Sequence, residues 1–287
     1  MTPPVELIPA QRQRLWGWQA VVNFTLGGIG AGLYGTAVVA AGFERGPAVA
    51  LASWLAPVLV LAGFAAVAAE AGRPLRGPRV LWKVRTSWMS RELWIGGVFV
   101  LLVAADIAFP LRLHRAQALA AAVLLALAQG MILRRSRGIA AWDAAVMPWL
   151  FLFSAAVSGS GAYLFLEVLA GRTVAPIVIE ACLVLLVAAL GLDRAYVFTP
   201  AGHAFRDATA SLRNGRAGRF GVGVGTVIPL GALAVALASP AAAAPAVALA
   251  GLAMVAGQAL FKAELILRAG LLRPITVPTL RMSRRLS

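Results

Sequence analysis

Residues 17–42 read GWQAVVNFTLGGIGAGLYGTAVVAAG. The run carries no charged side chain. At about 1.5 Å of rise per residue, a helix of this length crosses a hydrocarbon layer of about 30 Å with residues to spare. It is too long for a signal-peptide core, and no convincing cleavage site ends it, so it reads as a retained span behind Arg12 and Arg14. Further apolar runs follow, and spans are expected at about 17–42, 48–70, 91–111, 116–134, 143–170, 175–197, 220–239 and 245–268. No linker, low-complexity tail or second domain separates them, so residues 1–287 read as a single transmembrane helical domain. The chain is 61% hydrophobic and 13% charged, with mean hydropathy +0.84. A soluble domain of this length cannot bury that much apolar side chain, whereas lipid solvates it. Backbone in lipid must satisfy its own hydrogen bonds, which leaves helices or closed barrels. Long unbroken runs are not the short alternating strands of a barrel. The expectation is an all-α integral membrane protein, a bundle of about eight transmembrane helices.

Charge sets the topology. All but four of the 26 lysines and arginines fall on one side of these spans, the exceptions being Arg45, Arg112, Arg115 and Arg172. Positive loops stay cytoplasmic, so both termini are expected there, in a cell inner membrane. The net charge of +15 is thereby explained without nucleic acid.

Redox centres of the chain's own are not expected. Cys182 is the only cysteine, which excludes a disulfide and a cysteine-ligated iron–sulfur cluster. His114 and His203 fall in predicted loops on opposite sides, not paired inside the bundle as a haem needs. No metal site is read.

Glycine marks packing. Gly28/Gly32 and Gly221/Gly225 have the small-xxx-small spacing of close helix approach, and Ser158-Gly159-Ser160-Gly161 is similarly small. The glycine run of the first span is not a dinucleotide fingerprint, because no strand precedes it.

Polar residues gather where the second span leads into the third. Glu70 and Glu92 lie at adjacent span ends, flanked by Arg73 and Arg91. A carboxylate at the membrane costs about 2.5–3.5 kcal/mol on insertion scales, so it has a partner or a job. Glu70 can pair with Arg73 one turn away, and Glu92 can sit in the first turn behind Ser90 as N-cap. The other reading is a quinone pocket at the interface, needing hydrogen-bond partners, a proton donor or acceptor and aromatic walls. Glu70, Arg73, Trp88, Arg91 and Glu92 supply these, with Glu70 and Glu92 as proton-handling candidates. Trp16, Gln19, Asn23, Gly27 and Gly30 recur at spacings that place them on one inward face, adding Gln19 and Asn23 to the headgroup candidates. Trp18 suits an interfacial belt. Lys262, with Glu264 and Arg268, can snorkel, and Gln258 stands four residues before it. On the far side, Asp106, Glu167 and Glu180 read as solvated or paired, Glu167 with Arg172.

The order of these features resembles the membrane anchor subunits of respiratory molybdoenzymes of the DMSO reductase and polysulfide reductase (NrfD-like) type. The matching stretches are Leu26–Gly32, Gly72-Arg73-Pro74, and Ser87-Trp88-Met89-Ser90-Arg91-Glu92, together with the span count. The resemblance implies an anchor with no catalysis of its own. It would hold a four-cluster ferredoxin-like iron–sulfur subunit and a molybdopterin catalytic subunit at the lipid, and exchange electrons with ubiquinone or menaquinone. Molybdenum would sit in the partner. Glu92 matches the family's acidic residue implicated in quinol binding, while Glu70 stands where DMSO reductase anchors have histidine. The charge bias puts the motif-bearing end inside, similar in this respect to the anchor of phenylacetyl-CoA:acceptor oxidoreductase. The alternative is a secondary transporter of a small solute, allowed by the span number and glycine-broken helices. Against it, the polar groups gather at one end and no internal repeat is evident.

Overall fold

The computed structural model describes residues 5–70, 81–199 and 201–277. The long helices are α1 (Trp18–Ala40), α2 (Pro47–Glu70), α3 (Trp88–Ala108), α4 (Arg112–Arg134), α5 (Met147–Leu169) and α6 (Pro176–Val197). Two short helices, α7 (His203–Ala208) and α8 (Ala210–Asn214), lead into α9 (Arg216–Val222). A π-helical turn, Gly223–Val227, joins α9 to α10 (Ile228–Ala238). A short 3₁₀ turn precedes α11 (Ala243–Ala263), which continues as a second π turn, Glu264–Arg268. Each expected span falls on one of these helical stretches.

Among the described residues, seven helices are long and apolar enough to cross a membrane, so the chain is an all-α, multi-pass membrane protein. The helix not among them is α3, which carries Arg91, Glu92 and Asp106 in 21 residues. Strand β1 (Val5–Ile8) pairs antiparallel with β2 (Ile275–Val277), and an isolated bridge joins Arg12 to Leu271. The described ends of the chain therefore meet at one end of the bundle, here called the arginine-rich end.

Small residues set the helix crossings. A Cβ built on Gly32 of α1 would overlap the Ala155 carbonyl oxygen of α5, and one on Gly159 would overlap the Gly32 backbone. Gly30 faces Ala56 O of α2, where a Cβ would sit 2.6 Å away. Gly225 meets Gly257 of α11 backbone to backbone, whereas Gly221 faces open space. The Gly221/Gly225 pair therefore packs through one member, because the π turn shifts the helix face between them. Gly27 and Gly28 do something else: they make room for the side-chain nitrogens of Gln129 and Lys262. Gly32→Val is expected to destabilise by about 1–3 kcal/mol or more, since backbone cannot move aside as a side chain can. Thermal unfolding in detergent measures this; an unchanged midpoint would show the crossing to be loose.

The core falls into two layers. One, in the half remote from the arginine-rich end, packs Tyr34, Phe99, Leu164 and Met254. The other, beneath the arginine-rich end, packs Phe24, Trp142, Phe151 and Tyr196. There the Trp142 indole donates to Leu265 O at 2.9 Å and the Tyr196 hydroxyl to Ala141 O at 2.6 Å, satisfying both polar tips.

Candidate functional site

α3 begins at Trp88 because Ser87 caps it. The Ser87 backbone is extended, and its hydroxyl accepts from the Ser90 N–H at 3.4 Å. Ser90 is therefore not the cap but a buried residue inside the helix. Glu92 moves with it into the second turn, away from the free N–H groups that would have satisfied it as a first-turn carboxylate.

Glu92 is held by other helices instead. Its Oε1 accepts from Asn23 Nδ2 of α1 and from Gln129 Nε2 of α4, both at 3.1 Å. All three side chains are buried, Glu92 with 4% of its surface exposed. The two amide hydrogen bonds fix this side chain and join three helices. Asn23 Oδ1 lies buried without a partner among the described residues, against Gly63 of α2.

Immediately toward the arginine-rich end lies a cavity of about 490 Å³. Trp16, Trp88 and Ile132 line it, with Arg85, Arg91, Arg135 and Arg137. Trp88 stands four residues before Glu92, and Ile132 three after Gln129, so the carboxylate and its amide lie one helical turn beneath the cavity. Trp16 is fixed by stacking on Phe24 at 5.6 Å and meets Trp142 edge-on at 5.9 Å. Arg91 lies over the Trp88 ring at 4.4 Å and donates to Val84 O and Arg85 O at 2.8 and 2.9 Å. It therefore holds the loop that roofs the cavity.

The expected site residues divide. Asn23 and Glu92 come together, and Trp88 and Arg91 border the same place. Gln19 does not join them: its side chain is exposed on the outer surface. The shared-face expectation fails there because helix α1 starts only at Trp18, so Trp16 is outside the helical register, and in the first turn Ala20 and Val21, not Gln19, face the bundle. Trp18 is exposed as a belt residue would be. The Glu70 side chain and Arg73, and with them their expected pairing, lie outside the described residues. Lys262 does not snorkel. It is fully buried, donating to Phe24 O at 2.9 Å in the space Gly28 leaves.

Gln129 is the residue that sequence reasoning missed. Its signal was available, the one polar side chain between Gln117 and Arg134 in α4, since such residues in membrane helices seek partners. Gln129→Leu removes one of two donors to Glu92 and is expected to lower stability by about 1–3 kcal/mol. Unfolding of the variant checks this, and a value under half that range would mean that the Asn23 amide suffices.

A second cavity of about 440 Å³ opens between α1, α4, α5 and α6. Its lining is apolar apart from Thr36, Ser160 and Cys182, and holds no charged group. It lacks the chemistry that gathers around Glu92. At the remote end, Arg115 pairs with buried Asp106 at 3.2 Å, and Arg172 donates to Glu167 as expected. Both are closed pairs.

No curated protein matches this chain. The model of a family described as DMSO reductase anchor subunit (DmsC) matches residues 27–218, from the glycine run of α1 through α3 and α4 to α9. The chain belongs to the DMSO reductase anchor subunit family.

Proposed function

We propose that this chain is the quinone-reactive membrane anchor of a molybdenum and iron–sulfur oxidoreductase. It passes electrons between a docked four-cluster iron–sulfur subunit and the quinone pool, with a molybdopterin subunit doing the chemistry on substrate. The family match supports the anchor role in a DMSO-reductase-type complex, and gives no support to the transporter alternative. The observation that carries the quinone reading is Glu92, a buried carboxylate fixed on one oxygen by two amides, one turn beneath a cavity walled by tryptophan and arginine.

The residues present fit a quinone. A quinone carries two electrons and two protons between the pool and the complex. Guanidinium N–H groups at the cavity wall suit its carbonyl oxygens, and Trp16 and Trp88 suit its ring. Glu92 is placed to take up or give a proton at its carboxylate. Asn23 and Gln129 orient it, and Arg91 keeps the roof loop in place. The charge bias supports docking of the soluble subunits on the cytoplasmic face of the inner membrane.

Purification from the native membrane in mild detergent, with mass spectrometry of what accompanies the chain, tests the assembly. Iron–sulfur and molybdopterin subunits with bound quinone are expected. A chain that purifies without any of them would overturn the reading.

A further inference from the structure

The apolar cavity between α1, α4, α5 and α6 differs from the one at Trp88 in position as well as in lining. It is a groove that runs along the helices. On α1 its lining extends from Ala31 to Ala40, and on α6 from Ile177 to Leu185. At about 1.5 Å of rise per residue, these stretches are about 12–14 Å long. Both reach the remote end, since Ala40 ends α1 and Ile177 stands in the first turn of α6. Half of a hydrocarbon layer of about 30 Å is about 15 Å. The groove is therefore as long as one leaflet is deep, and it lies in the leaflet away from the arginine-rich end.

Side-chain size explains why the space exists. Its floor is made by Gly32 and Gly35 of α1 with Ala155 and Ala156 of α5. Gly32 and Gly159 bring these two helices into backbone contact, which closes the floor. α4 and α6 form the two walls and do not pack against each other. The fourth side is open. Val39, Val123, Ile177 and Ala181 on the rim are exposed, and at this depth what surrounds them is hydrocarbon. Water does not settle in an apolar space, and an empty one forfeits the dispersion contacts of its lining.

The lining offers nothing to a headgroup. The Thr36 and Ser160 hydroxyls bond each other at 3.0 Å, and Cys182 brings only a thiol. No charged or aromatic side chain lines the groove, so a quinone ring finds neither partner nor wall there. Charge at the remote end is balanced. Against Arg45, Arg112, Arg115 and Arg172 stand Glu44, Asp106, Glu167 and Glu180. Arg112 pairs with Glu44, Arg115 with Asp106 and Arg172 with Glu167. No cationic surplus is left to select an anionic lipid.

We propose that the groove is a binding site for one acyl chain of a zwitterionic phospholipid of that leaflet. The lipid is held by its tail, with its headgroup at the remote surface. The tail fills the gap between α4 and α6 and completes a wall that the protein leaves open. The site does not depend on the quinone reading, because it lies in the opposite leaflet from the cavity at Trp88.

The test places the full chain in phosphatidylcholine vesicles containing a phosphatidylcholine with a diazirine midway along one acyl chain. After illumination, peptide mapping compares residues 152–160 with residues 54–61 of α2, where exposed Trp54, Val58 and Leu61 report ordinary lipid contact. Labelling about tenfold stronger on the first stretch is expected, the ratio for a preference of about 1.4 kcal/mol over bulk lipid. Ala156→Phe, which fills the floor, should bring the two stretches level. Native mass spectrometry from mild detergent should retain a phospholipid on the parent and lose it from this variant. Equal labelling in the parent overturns the site, as does undiminished labelling in Ala156→Phe. Should the variant not fold, the parent's ratio decides alone. Stronger labelling by the corresponding phosphatidylglycerol overturns the zwitterionic assignment. Excess ubiquinone that removes label from the groove but not from α2 overturns the phospholipid in favour of an isoprenoid tail.

Discussion

Glu92→Gln is expected to lower quinone-linked turnover of the assembled complex by about 10²-fold or more, the usual scale for losing a positioned acid–base group. The substitution is chosen because it spares the architecture. Glutamine keeps a carbonyl Oε1 in the place where Glu92 accepts from Asn23 and Gln129. What it loses is the carboxylate's capacity to hold a proton. The same preparation assayed with an artificial dye on the catalytic subunit should keep its rate, since that chemistry does not pass through α3. Turnover with quinone within twofold of the parent would remove Glu92 from the chemistry and leave it a helix clamp.

Arg115→Ala is expected to destabilise the chain by about 3–5 kcal/mol, the cost of leaving a buried charge without its partner. Arg115 donates to Asp106 Oδ1 at 3.2 Å, and both side chains are nearly inaccessible. Its Nε also donates to Phe43 O at 2.8 Å. That second bond holds the turn between α1 and α2, where Gly42 and Phe43 adopt φ of 58° and 63°. The αL conformation is costly for phenylalanine and persists only when surroundings fix it. Adding Asp106→Asn to the variant should recover part of the loss, because the uncompensated charge goes with it. Quinone turnover per assembled complex should not change, as this pair lies at the opposite end from Glu92. A loss under 1 kcal/mol would mean that water reaches Asp106.

The spans were legible because length and hydropathy decide them, and lipid leaves the backbone few alternatives. The α3 helix was legible as a stretch but not in its start, since Ser87 and Ser90 both suit a cap and the choice depends on the extended backbone at Ser87. That shift of three residues changes the reading of Glu92, from a first-turn carboxylate satisfied by its own helix to one satisfied by α1 and α4. Lys262 was expected to reach for the interface because lysine in a span commonly does. Its burial follows from Gly28 and the Phe24 carbonyl, which lie far away in sequence. Gln129 left no periodic pattern, and only a partner on another helix reveals its role. Gln19 shows the converse error, a helical spacing counted from a residue that is not in the helix.

The central claim is that a quinone headgroup meets this chain at the cavity above Glu92. Photoaffinity labelling of the assembled complex with an azido-quinone, followed by peptide mapping, tests it most directly. Labelling within residues 85–92 and 132–137, suppressed by excess unlabelled quinone, is the predicted result. Labelling confined to the apolar cavity around Thr36 and Cys182, or label that excess quinone does not displace, would contradict it.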